Sequence, residues 1–201
     1  MMSYNPAFGT PPPNPPNNLF NFPVKNNRLQ LPDMLFDIDS LNLESLPDEI
    51  NYYGRVFMRK NNTDMTFIFR YKSFLVFHDR INKYDVQHCF DLEVFPWIVD
   101  KLTEFQRKKT ETINLVCEKR VINENKISLI RVVGRRAGEE GFWLRDYSRE
   151  SKTSAEIGIT NDKGQSFVEQ YLSDYGLYEK KGIQVLKVAL EDLILQGLIN
   201  V

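Results

Sequence analysis

The chain predicts an α+β fold: two repeated units of antiparallel strands plus helix, helices packed on one side of the sheets, closed by a C-terminal helix. Three observations carry this. Runs with apolar residues at every second position cluster in two places; a segment with helical spacing follows each cluster; and short polar turns such as NNTD and NEN separate the runs. Two-residue spacing puts one set of side chains on one face of a strand, and spacing of three and four builds one helical stripe.

In the first unit, residues 51–110, NYYGRVFMRK alternates and stops at NNTD. MTFIFRYK alternates again, SFLVFHDR continues after a break at Lys72–Ser73, and INKYDVQHCFDL leads onward. In EVFPWIVDKLTEFQRKK, Phe95, Ile98, Leu102 and Phe105 recur at helical spacing and Pro96 fits a first turn. The second unit, residues 111–176, offers four strand candidates: TINLVCEKRVI, KISLIRVVGRR before an AGEEG loop, FWLRDYSRE, and SAEIGIT. DKGQSFVEQYLSDYG reads as its short helix, with Phe167, Tyr171 and Leu172 inward. A C-terminal helix over 182–197 ends at Gly197.

Ahead of this globular part, 51–201, lie two segments of different character. Residues 1–30 form a Pro/Asn-rich tail, with seven prolines and seven asparagines in the first 27 positions, a composition that predicts disorder. Residues 31–50 mix apolar and acidic side chains and read as a linker or docking segment, with Leu35, Phe36, Ile38, Leu41 and Leu43 as its adhesive positions. Such a segment suits a protein partner, or a basic, aromatic surface of its own chain.

Composition excludes several classes. No run of about 18 apolar residues and no basic-then-apolar leader is present, so neither a membrane span nor export is expected and the chain reads as intracellular. Cys89 and Cys117 are too few for a disulfide framework. Net charge is −1 but segregated: residues 51–152 hold 20 Lys and Arg against 14 Asp and Glu, and both flanks are acidic. A basic middle of this kind suits a polyanion.

TFIFRYKSFLVFHDR, Thr66 to Arg80, concentrates five aromatics with four basic or imidazole groups. Alternation assigns Phe67, Phe69 and Tyr71 to the core and turns Arg70 and Lys72 outward. In NYYGRVFMRK one face carries Tyr53, Arg55, Phe57 and Arg59; in GFWLRDYSRE one face carries Trp143, Arg145, Tyr147 and Arg149. KISLIRVVGRR adds Arg131 and Arg135. Aromatic faces stack unpaired bases at about 1–3 kcal/mol each, and guanidinium groups bind phosphates, so these twelve residues are the expected nucleic-acid-binding set. A duplex hides its base faces, which directs the expectation to single-stranded DNA or RNA.

The layout, with GRVFMRK at Gly54–Lys60, KYD at Lys83–Asp85 before FPWIVDKL, and FWLRDYS before the second helix, resembles the PUR and Whirly-like single-stranded nucleic-acid-binding proteins over residues 51 to about 175. The resemblance implies two units whose helices pack on one face of their sheets while a single strand binds along the other face or the edges. It also implies a C-terminal helix that assists dimerisation, hence a homodimer.

No catalytic or cofactor motif competes with this reading. His78, His88 and Cys89 are too few and too poorly spaced for a zinc site, with His78 expected at a strand end and His88 in a loop. Asp79, Asp85 and Asp91 are too scattered for a nuclease metal cluster. GRRAGEEG lacks the context of a nucleotide cradle, and the RKK at Arg107–Lys109 fits a helix C-terminus. The expectation is therefore a non-enzymatic protein without metal or cofactor. The alternative class is a dimeric interaction module whose aromatic sheet face is an interface.

Overall fold

The structure, a computed structural model, describes residues 29–30, 33–42, 44–60, 63–82, 84–107, 117–132, 140–156, 159–160 and 163–200. Most of the expected tail, residues 1–28, therefore lies outside the described residues, as do Leu43, Lys108, Lys109, Ala137, Gly138 and Glu139 of the AGEEG loop, and Arg135.

Two sheets form. The first has strand order β1-β5-β4-β3-β2, from β1 (Leu29–Gln30), β2 (Ile50–Phe57), β3 (Met65–Tyr71), β4 (Phe74–Ile81) and β5 (Tyr84–Asp91). All neighbours are antiparallel except β1, which lies parallel to β5. Lys72, with φ of 53°, makes the tight turn between β3 and β4. Helix α1 (Phe95–Arg107) follows, with Phe95, Ile98, Leu102 and Phe105 all buried as their spacing predicts. The second sheet runs β6-β7-β8-β9, from β6 (Cys117–Ile122), β7 (Asn125–Val132), β8 (Gly141–Asp146) and β9 (Val168–Ser173), with a short helix α2 (Lys152–Glu156) between the last two. A π-helical turn at Tyr175–Glu179 leads into the C-terminal helix α3 (Gly182–Leu195).

One apolar core joins these parts. Val56, Ile68, Leu75, Phe77 and Phe90 of the first sheet pack with Ile127, Leu129, Phe142, Leu144 and Leu172 of the second, and both meet Ile98 and Leu102 of α1 and Leu186 and Leu193 of α3. The helices thus lie on one side of the first sheet.

The second unit departs from expectation in its last two elements. SAEIGIT is expected as a strand, but its start is helical: Ser151 accepts the Ser154 N–H, and Asp33 accepts those of Lys152 and Thr153, satisfying a first turn. The expected helix around Phe167–Leu172 is instead β9, in which Val168, Gln170 and Leu172 face the core with a period of two. Gln170 faces inward because Asp79 of β4 waits there, accepting from its amide at 3.1 Å on each oxygen.

Both faces of the central strands β3 and β4 are buried. Residues 33–42 and 44–49 lie across the side of the first sheet away from the helices as a strap: Ile38 is fully buried with Phe67, Phe69 and Val76, and Phe36, Leu41 and Leu46 pack beside it. Gln87 pins the strap by accepting the Leu35 N–H at 2.6 Å and donating to Phe36 O at 2.8 Å. Arg80, paired bidentately with Asp85, also reaches Asp39 of the strap at 2.9 Å. At its start, Asp33 accepts from Ser151 Oγ at 2.7 Å, tying the strap to the second unit.

Both histidines sit within strands, His78 in β4 and His88 in β5, rather than at a strand end and in a loop. His78 is buried 3.8 Å from Asp85, and His88 lies 3.8 Å from Asp79. Burial raises Asp79 to about 7 against the lowering pull of its donors Thr66 and Gln170, and burial depresses His88 to about 4. An unfolded aspartate ionises near 4, so between about pH 4 and 7 the unfolded chain sheds a proton that the folded chain keeps, and Asp79 takes stability away at about 1.4 kcal/mol per pH unit. His88 and His78, held neutral in the fold, act with the opposite sign below about pH 6.5. Asp79→Asn removes only the aspartate's share. Its unfolding free energy relative to wild type, from urea titrations at several pH values, should therefore rise from pH 4 to 7 and then level; a pH-independent difference would mean that Asp79 ionises in the fold as it does in the open chain.

Candidate nucleic-acid interface

The twelve expected residues divide by sheet, and those of the first sheet are largely taken up by structure. A bulge between Tyr52 and Gly54, with φ of 141° at Gly54, breaks the alternation of β2. Tyr53 consequently turns to the helix side, where its hydroxyl donates to Asp192 of α3 at 3.0 Å, while Tyr52 packs under the strap. The expected face of Tyr53, Arg55, Phe57 and Arg59 is therefore not one face. Arg55 lies 5.4 Å over the Phe57 ring and Phe57 joins the cluster beneath the strap; Arg59 is exposed and pairs with Asp64 at 3.2 Å.

Arg70 corrects a second expectation. Both faces of β3 are covered, so Arg70 is buried rather than outward, donating to Asp48 O at 2.8 Å and Asn51 Oδ1 at 2.9 Å. Lys72 is exposed beside Glu49 at 3.6 Å. Arg131, on the inner face of β7, is also buried, held by both oxygens of Asp174 and by Glu140. Arg149 bridges the two sheets, with Asp91 at 2.5 Å and the Phe74 ring 4.7 Å from its guanidinium carbon.

Among the described residues, the outer face of the second sheet is partly exposed: Trp143, Arg145 and Tyr171 are half-buried and Lys119, Val121 and Lys126 exposed, while Ser128 and Glu169 are buried. Register sets its side chains in rows: Ile130, Trp143 and Tyr171 in one, and Lys119, Ser128, Arg145 and Glu169 in the next. Val121 and Lys126 make a third row, and Tyr147, whose N–H donates to Lys126 O, closes it from the turn after β8. Trp143 and Tyr171 are half-buried with ring centroids 5.0 Å apart; Tyr147 leans on Phe167 at 5.0 Å. Arg145 donates to the buried Glu169 and lies 5.3 Å over Phe167. Trp143, Arg145 and Tyr147 thus do share a face, as their alternation predicts, although the arginine charge is matched.

Sequence reading missed the cations that are not matched. Lys119, Arg120 and Lys126 enter no ion pair among the described residues, and with Val121, Ile127 and Tyr147 they line an open depression of about 470 Å³ at the edge formed by β6 and β7. The signal was available in CEKRVI and NKISL, where lysines fall on the same strand face as the second unit's aromatics.

Among the described residues, no group of three or more His, Cys, Asp or Glu is placed to hold a metal ion, and no helix is long and apolar enough to cross a membrane. Compared with protein-family models, curated proteins and solved structures, the chain matches none.

Proposed function

We propose that the protein binds single-stranded DNA or RNA, without catalysis, along the outer face of its second sheet. The observation that carries this is the pairing on one partly exposed face of half-exposed aromatic rings, Trp143, Tyr171 and Tyr147, with Lys119 and Lys126, which enter no ion pair among the described residues. Rings of this kind stack bases, and free cations beside them hold the phosphates between successive bases. The proposed surface keeps Trp143, Arg145 and Tyr147 of the expected set and leaves out the buried Arg70 and Arg131. The likeness in layout to the PUR and Whirly-like proteins belongs to the same proposal, as the arrangement in which a strand would run over a sheet whose other side meets helices.

The test is fluorescence anisotropy of a labelled unpaired oligonucleotide at two salt concentrations. Wild type should bind, with affinity falling steeply as salt rises; Trp143→Ala should weaken binding by about 1–3 kcal/mol with little change in melting temperature, because the ring is half-exposed. A duplex of the same sequence should bind less tightly. Loss of stability without loss of binding per folded molecule would make Trp143 a packing residue and remove the proposal.

A second reading, a homodimeric assembly module, draws on a different observation: Val188 in the middle of α3, Ile194 and Leu195 at its end and Leu198 just beyond it expose apolar side chains, Leu195 at 86%. Sedimentation should then show a dimer that Leu195→Glu dissociates, with oligonucleotide binding by the monomer retained.

A further inference from the structure

The depression between β6, β7 and Tyr147 differs from the flat sheet beside it. Its volume, about 470 Å³, falls within the range of about 300–1,000 Å³ typical of small-molecule sites. On the outer face it is lined by Val121, Tyr147 and the exposed Lys119 and Lys126, with Arg120 and the buried Ile127, whose positions alternate to the other face, completing its lining. Tyr147 is fixed there, its ring on Phe167 and its hydroxyl 3.5 Å from Ser128 Oγ. An apolar hollow with a rigid ring on one wall and cations at its mouth suits a ligand that is flat and apolar at one end and anionic at the other.

We infer that this depression is an anchoring site for a single nucleotide, its base inserted against Tyr147 and its phosphate held by Lys119 and Lys126. The inference rests on the strand-binding reading, and it sharpens that reading into a polar geometry: one nucleotide leaves the stack and enters the edge of the sheet, and its neighbours run across Trp143 and Tyr171. A nucleotide is favoured over an acidic-apolar peptide because the hollow opens onto the same aromatic face, which offers stacking surface to successive bases. The pocket would fix the register of the strand, and it would recognise a free nucleoside monophosphate.

The experiment is a titration of the full chain, followed by amide NMR, with deoxyadenosine monophosphate, with adenosine and with inorganic phosphate, beside anisotropy with an unpaired oligonucleotide. Deoxyadenosine monophosphate should shift the amides of Lys119–Val121, Lys126–Ser128 and Tyr147, and the two fragments should bind more weakly than the whole. Lys119→Ala with Lys126→Ala should weaken the nucleotide by about tenfold or more through lost phosphate contacts, leave the melting temperature unchanged because both side chains are exposed, and lower the salt slope of oligonucleotide binding. Oligonucleotide binding with no nucleotide response at these amides would overturn the pocket and leave the sheet surface standing. Nucleotide shifts at the pocket without oligonucleotide binding would sustain the pocket and overturn the strand reading, and no response to either would overturn both. A free peptide of residues 33–45 that displaces the nucleotide and binds more tightly would overturn the ligand assignment in favour of peptide.

Discussion

Arg131→Ala should lower the unfolding free energy by about 3–5 kcal/mol, the loss that follows when one partner of a buried ion pair is removed. The guanidinium donates to both oxygens of Asp174, at 2.5 and 2.8 Å, to Glu140 at 2.8 Å and to Gly141 O at 3.2 Å, with its carbon 4.8 Å over the Phe142 ring. Asp174, itself buried, begins the turn between β9 and α3. Without Arg131 that carboxylate has no cation and the start of the C-terminal helix loses its tie to the second sheet. Arg131→Lys should recover part of the loss, since an ammonium restores charge but not the two-pronged geometry. The midpoint of urea unfolding measures both. A loss below about 1 kcal/mol, accompanied by weaker oligonucleotide binding, would return Arg131 to the binding surface from which its burial removes it.

The second large effect is expected in the strap. Ile38→Ala should destabilise by about 2–5 kcal/mol, because a fully buried aliphatic side chain leaves both lost transfer energy and a cavity. Its bed is Phe67, Phe69 and Val76, and Phe36 packs beside it with its ring 5.3 Å from Phe69 and 5.7 Å from Tyr71. The polar pins, Gln87 on the Leu35 amide and the Phe36 carbonyl and Arg80 on Asp39, hold the strap's path but cannot refill that space. Hydrogen exchange at the Leu35 amide should accelerate together with the loss of global stability. If Leu35 exchanges faster while global stability is unchanged, the strap is a loosely laid cover and the sheet beneath it stands by itself. Oligonucleotide binding should be unaffected, because the strap and the proposed interface lie on different sheets.

Local pattern made much of this fold legible. The strands of the first unit, the turn at Lys72, α1 and α3 follow from periods of two and of about 3.6 with their punctuation. What failed depended on distant partners. Gly54 in NYYGRVFMRK marks a site for a bulge but not its consequence, which places Tyr53 against Asp192, 139 residues away. VEQYL suits strand or helix, and Gln170 meets its carboxylate across 91 residues. Arg70 and Arg131 read as surface because arginine is seldom buried without a partner, and their partners come from elsewhere in the chain. At the candidate site the aromatic rows of the second sheet were visible in FWLRDYS, whereas Lys119 and Lys126, although alternation puts them on the same face, do not stand out from ordinary solvated strand positions.

The strap also sets an order of assembly. It is made before every surface it covers: its docking partner Gln87 follows Leu35 by 52 residues, and Ser151 follows Asp33 by 118. During synthesis the aromatic side of the first sheet can form its strands while its cover is already present but has only part of its anchorage. The cover therefore finishes locking only when the second unit has emerged and presented the start of α2. The acidic residues interspersed in the strap favour a solvated waiting segment through that interval, and the apolar core shared by both sheets joins the two units beyond this one tie.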